Sequence, residues 1–216
     1  MQTLPLWPVM MYDFQWAKHE TYKEELKQVC RDLETTNSVS NVAPNAKHGL
    51  YESGFDFFKT PSPVVEELGH WIKDCLFKSA VAANKDYWPA GMTISIELHE
   101  SWCHITRDGG YHDIHTHPGS SWSAIYYLDT GDMNSDTKNG VNRFYCPYNS
   151  MYIDAGTAWT SAYNSIDFKA EPGMLIVFPS WVPHSALTYR GNKERYVVSV
   201  NSRITRTNMS SFTLNV

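Results

Sequence analysis

Along the first third of the chain apolar positions recur at helical spacing, and beyond Pro89 they alternate. Trp16, Tyr22, Leu26, Val29, Cys30 and Leu33 fall among Lys and Glu, which predicts an amphipathic helix over about Gln15–Leu33. A second helix is expected after Pro61-Ser62-Pro63, with Ser62 as the cap and Pro63 at the first helical position. Its apolar face would use Val64, Val65, Leu68, Trp71, Ile72, Cys75 and Leu76, and it would end near Asn84.

The alternating part reads as a run of strands: Thr93–Leu98, Ser101–Thr106, Tyr111–His117, Ser121–Leu128, Val141–Tyr145 and Met174–Phe178. His184–Tyr189 and Arg195–Ile204 are expected to close as a hairpin around Gly191-Asn192. Strands joined by short turns, with no helices between them, argue against parallel crossover units and for an antiparallel sandwich or barrel. The expected fold is mainly β: one jelly-roll-like domain with N-terminal helices packed outside. A helical part over 1–90 would precede a β core over 91–206.

Composition narrows the partners. The chain has 216 residues, 42% of them apolar, enough for one sizeable core. Aromatics reach 14%, with 8 Trp and 13 Tyr, which suits a β-rich body or a pocket walled by flat rings. Net charge is −5 with both signs interspersed, so no basic stripe is available for nucleic acid or a polyanionic membrane surface. No segment approaches the ~20 apolar residues of a membrane span. Met1–Met11 carries two prolines and no positive flank, unlike a signal peptide. Cys30, Cys75, Cys103 and Cys146 form no CxxC pair and read as free thiols in a reducing, cytoplasmic compartment. A small-molecule partner is expected, with room left for a homodimer.

Candidate chemistry lies in the histidines. His115 and His117 stand at alternate positions of an expected strand, so both imidazoles would leave one face. His184, at the start of a later strand, could supply a third vertex. Three such ligands leave cis positions open, the facial arrangement of mononuclear non-haem iron. Asp113 shares the expected face and could be a ligand or an acceptor fixing an imidazole from behind, the second being the preferred reading. His112 is expected on the opposite face. Arg195, Val197, Ser199 and Asn201 would share one face of the last strand, with Tyr196, Val198 and Val200 on the other. A buried Arg needs a carboxylate, and its planar fork suits a bidentate pair.

The order of motifs from about residue 100 to 203 resembles the 2-oxoglutarate/Fe(II)-dependent dioxygenases, in particular small oxygenases of bacteria and their phages. The resemblance rests on His115-Thr-His117-Pro118, Ser123-Ala-Ile-Tyr126-Tyr127-Leu128, the segment from Pro172 through Phe178-Pro-Ser-Trp to His184, and then Arg195 and Asn201. It implies a double-stranded β-helix (jelly-roll, cupin-like) core with Fe(II) on His115, His117 and His184. It further implies 2-oxoglutarate and O2 as co-substrates, and release of succinate and CO2 as a small molecule, amino acid or peptide is oxidised. Arg195 and Tyr127 would hold the far carboxylate of 2-oxoglutarate, with Ser123 and Asn201 lining the same pocket. His117 departs from the usual pattern, which has Asp or Glu there. A neutral three-histidine set also fits cupin-type dioxygenases that use no 2-oxoglutarate, and a non-catalytic β-sandwich that binds a ligand is a third reading. The aromatic-polar stretch Pro147–Lys169 is a candidate lid, and Trp102 and Trp122 are candidate cavity walls.

Overall fold

The computed structural model describes residues 8–38, 49–148, 155–157 and 164–207. The amphipathic segments form α1 (His19–Ser38) and α2 (Pro63–Asn84). Helix α2 begins on Pro63 behind Ser62 as expected, although the Ser62 hydroxyl makes no capping bond. Among the described residues there are ten strands: β1 (Tyr12–Gln15), β2 (Leu50–Glu52), β3 (Ile94–Thr106), β4 (His112–His115), β5 (Trp122–Asp129), β6 (Asn142–Tyr145), β7 (Ser165–Asp167), β8 (Met174–Pro179), β9 (His184–Ala186) and β10 (Arg195–Arg206).

They pair antiparallel into two sheets, ordered β1-β8-β5-β10-β3-β2 and β4-β9-β6-β7. This is the double-stranded β-helix, the jelly-roll architecture expected from the strand pattern. Strands β1 and β2 come from the N-terminal ninety residues and extend the larger sheet at its two edges. The two short strands expected over Thr93–Thr106 are one strand of 13 residues.

Strict alternation along β5 and β10 divides the interior into two cores. Ala124, Tyr126, Leu128, Tyr196, Val198 and Val200 face the helices, where Leu26, Cys30, Val65, Leu68, Ile72 and Leu76 cover them. Ile125, Tyr127 and Val197 face the smaller sheet and meet Phe144 and Phe178. The helices therefore pack on the outside of the larger sheet, and the space between the sheets is left for a site. Leu68 is fully buried in the helix-facing core. Leu68→Ala is expected to cost about 2–5 kcal/mol of stability through lost burial and the cavity left behind, read as a lower urea midpoint.

One sequence expectation is overturned here. β9 and β10 do not form a hairpin; they lie in different sheets, and β10 pairs with β3 and β5. The connection around Gly191-Asn192 crosses from one sheet to the other, with the backbone N–H groups of Asn192 and Lys193 donating to Asp132 Oδ2. β10 thus runs through the middle of the larger sheet, and residues 195–202 are buried on both faces. Cys30, Cys75 and Cys103 are buried and Cys146 is half-buried, all as free thiols. Among the described residues no helix is long and apolar enough to cross a membrane.

Candidate metal centre

Strand β4 ends on His115, which stands opposite His184 in the β4–β9 register. His117 lies just past the strand end, where its backbone N–H donates to Ser180 O at 2.9 Å. It reaches the site from an extended loop rather than from the expected strand. The three imidazoles nevertheless converge. Ring centroids are 4.3 Å apart for His115 and His184, and 5.0 Å for His117 against either. One ligand nitrogen from each lies within 4.8 Å of the others, and His117 Nε2 is 3.2 Å from His184 Nε2.

The donor chemistry fits a divalent metal. His115 Nδ1 is 2.7 Å from Asp113 O and His184 Nδ1 is 3.0 Å from Val182 O. A carbonyl only accepts, so each Nδ1 carries the proton and each Nε2 presents a lone pair. Main-chain carbonyls thus set these two tautomers, the role that the sequence pattern gives to the Asp113 carboxylate; Asp113 itself is exposed. Burial, and secondarily the His115 imidazole, pushes His117 down to about 4 and His184 down to about 3. His184 is 3% exposed and packs against Phe144 and Phe178.

The sign of the resulting pH dependence is definite. On unfolding these imidazoles return to an ordinary value of 6.5 and take up protons. The metal-free protein is therefore expected to lose stability as pH falls from 6.5 through about 4 and about 3, with no such loss above 6.5. Urea midpoints at neutral and mildly acidic pH would test this, and equal midpoints would contradict it.

Behind the imidazoles a small cavity of about 30 Å³ reaches Ser123, Asn142 and Ser199. Past Asn142 lies Arg195, 2% exposed. Its Nη2 donates to Asn142 Oδ1 at 2.7 Å, and its guanidinium sits 5.6 Å from the centre of the Tyr127 ring. The Tyr127 hydroxyl donates to the same Asn142 oxygen at 2.9 Å. Among the described residues Arg195 Nε has no partner and no carboxylate pairs with this guanidinium. Burial pulls the guanidinium down from its usual range and pushes the Tyr127 phenol up. A buried cation with an orphaned N–H is costly unless an anion joins it.

Ser123 Oγ donates to Asn201 Oδ1 at 2.7 Å and lies 2.8 Å from Ser180 Oγ. Asn201 Nδ2 donates to Glu100 Oε2 at 2.7 Å and is 3.3 Å from His117 Nδ1. The residues singled out from sequence are thus gathered along one wall between the sheets.

Two expectations change. His112 does not point away: the β4–β9 register shifts between His112 and His115, and this irregularity turns His112 to within 4.4 Å of His115. Trp102 lines the cavity, but Trp122 packs in the helix-facing core beside Tyr12. Of the candidate lid, Tyr152, Trp159 and Tyr163 lie outside the described residues, while Ser165–Asp167 forms β7. Asn142 and Phe144 are site residues that sequence reasoning misses. Their shared face in a short alternating strand is the signal available.

A jelly roll holding three convergent imidazoles, with a buried Arg that no carboxylate pairs among the described residues, defines a class: a double-stranded β-helix with a candidate metal centre. Comparison with known proteins agrees. Residues 100–201 match the model of a family described as "Putative 2OG-Fe(II) oxygenase". Solved structures align over most of the chain. A Pseudomonas putida prolyl-4-hydroxylase shares 16% identity over 90% of this chain and 94% of its own, with a TM-score of 0.56. A Trichoplax adhaerens prolyl hydroxylase, solved with a hypoxia inducible factor peptide fragment, shares 14% over 89% and 82%, with a TM-score of 0.56. HygX from Streptomyces hygroscopicus, solved with nickel and 2-oxoglutarate, shares 13% over 90% and 82%, also with a TM-score of 0.56. At these identities the likeness is one of fold. No curated protein sequence matches the chain.

The match to the 2-oxoglutarate/Fe(II) oxygenase family thus covers residues 100–201, the segment that carries the histidines, Arg195 and Asn201. The matched family is one of oxidoreductases that use Fe(II) and 2-oxoglutarate.

Proposed function

We propose that the protein, a single oxygenase domain over 1–216, couples decarboxylation of 2-oxoglutarate to oxidation of a small-molecule, amino-acid or peptide substrate. Hydroxylation is the expected outcome, with succinate and CO2 released. His115, His117 and His184 hold Fe(II). Arg195 and Tyr127 hold the distal carboxylate of 2-oxoglutarate, and Ser123 and Asn201 line the wall between that carboxylate and His117. Bound Fe(II), 2-oxoglutarate and O2 supply the oxidising chemistry.

The chain's own groups do the rest. Two imidazoles stay oriented by main-chain carbonyls, Phe144 and Phe178 keep water from His184, and Arg195 offers a pre-placed positive charge in a dry setting. The observation that carries this reading is the Nε of the buried Arg195 guanidinium, orphaned among the described residues, together with three metal-ready imidazoles. A dicarboxylate would supply an anion for the guanidinium and donor oxygens for the metal.

Incubating the protein with Fe(II), 2-oxoglutarate and O2 is expected to give succinate, slowly without substrate and faster with it. Absence of both 2-oxoglutarate binding and turnover would sink the proposal. The neutral three-histidine donor set favours a second reading, a cupin-type metal dioxygenase that uses no 2-oxoglutarate. Arg195 would then hold the substrate's own carboxylate, and iron would bind while 2-oxoglutarate would not.

A further inference from the structure

A larger cavity, about 300 Å³, opens beside His115 and His117. Two carboxylates on separate strands line it, Glu52 on β2 and Glu100 on β3. Each is tied to one end of the histidine pair. Glu52 Oε2 accepts from His104 Nε2 at 2.6 Å and from His112 Nε2 at 3.4 Å, and the His112 ring leans on His115. Glu100 is tied through Asn201 to His117. Phe55 and Trp102 supply aromatic surface, packed edge to face with ring centroids 5.3 Å apart. Phe55 is 56% exposed. Among the described residues lining this cavity there is no Lys or Arg.

We infer that this cavity is the substrate site and that its substrate is a cation: an ammonium or guanidinium group carried on an apolar chain or ring. The inference rests on the oxygenase reading above and adds the chemical class of the substrate. Burial would favour a protonated Glu52, but the hydrogen bonds from His104 and His112 outweigh it and hold the carboxyl below the usual carboxylate range. Burial also lowers His104 from the usual imidazole range.

With Fe(II) offset by dianionic 2-oxoglutarate, the field in the cavity is that of the two carboxylates. An anionic substrate would meet like charge on both sides in a partly desolvated space. A cation gains from both carboxylates, and the faces of Trp102 and Phe55 attract the same sign. Glu52 Oε1 and Glu100 Oε1 accept no hydrogen bond among the described residues, so each carboxylate keeps an oxygen for a ligand.

The test uses the full chain loaded with Zn(II) and 2-oxoglutarate, which binds without turnover. Matched pairs differing only in charged group are titrated by ligand-observed NMR: phenethylamine against 3-phenylpropionate, butylguanidine against hexanoate, and N-acetyl-lysine methylamide against N-acetyl-2-aminopimelate methylamide. At least one cation is expected to bind about 10-fold more tightly than its acid, roughly the effect of one well-placed charge contact. Its advantage should shrink with added salt. Glu52→Gln and Glu100→Gln should each weaken it about 3-fold or more, and the double variant should erase the preference. Acids that bind as well as the cations, no cation bound at all, or a preference that survives in the double variant would each overturn the inference. Zinc and 2-oxoglutarate contents are read in the same samples, so failure of the cofactor reading shows separately.

Discussion

His184→Ala is expected to yield a folded protein that no longer retains Fe(II) and no longer turns over 2-oxoglutarate. His184 is the most buried of the three imidazoles, and its Nδ1–H is already committed to Val182 O. Its Nε2 is therefore pre-aimed, and removing it leaves two nitrogens on the more exposed side. Loss of groups that merely orient a ligand costs about 10–100-fold in metal affinity, so loss of a ligand should cost at least that. Iron content after gel filtration, with circular dichroism as the control for folding, is the measurement. A non-catalytic sandwich would show the same metal content in variant and parent. His117→Asp is the informative companion, since a carboxylate there restores the common two-histidine set and should keep iron bound.

Arg195→Met is expected to separate stability from cofactor binding, with opposite signs. In the metal-free protein the guanidinium is buried with an orphaned Nε and no carboxylate among the described residues. Replacing a buried charge of this kind by a packed apolar side chain is often neutral or stabilising by about 1–4 kcal/mol. The apparent affinity for 2-oxoglutarate should instead fall about 30-fold or more, because truncating one partner of a buried charge pair costs about 2–5 kcal/mol. Iron content should hold, since Arg195 touches none of the imidazoles. Thermal melts of the metal-free protein and titrations of 2-oxoglutarate into the Zn(II) form read the two effects apart. An unchanged affinity for 2-oxoglutarate would remove Arg195 from the site.

Both predictions depend on side chains that stand out as candidates in the amino-acid sequence, yet the routes to them differ. Alternation makes His115 and His117 neighbours in one strand; the strand ends at His115, and His117 arrives from a loop pinned to Ser180 O. The conclusion survives because both rings still reach His184. The turn residues Gly191-Asn192 suggest a hairpin that would set Arg195 beside His184, and that hairpin does not exist. Arg195 is buried for a different reason: β10 is a central strand with a core on each face. His112 falls on the wrong face because alternation cannot register a β-bulge.

Local pattern determined what depends on near neighbours in the chain. Helix α2 could be read from its apolar stripe and Pro63, and the two faces of β5 and β10 from strict alternation. The ordered motifs also carried the family resemblance and, with it, the double-stranded β-helix. Only the tertiary structure decided which sheet each strand joined, that β1 and β2 extend the larger one, and that Glu52, Asn142 and His112 stand around the imidazoles. The physical reason is that strand pairing is set by burial and hydrogen bonding between distant segments. Their side-chain period of two leaves the choice of partner open. The three histidines could be named from the sequence; the charge of the space in front of them could not.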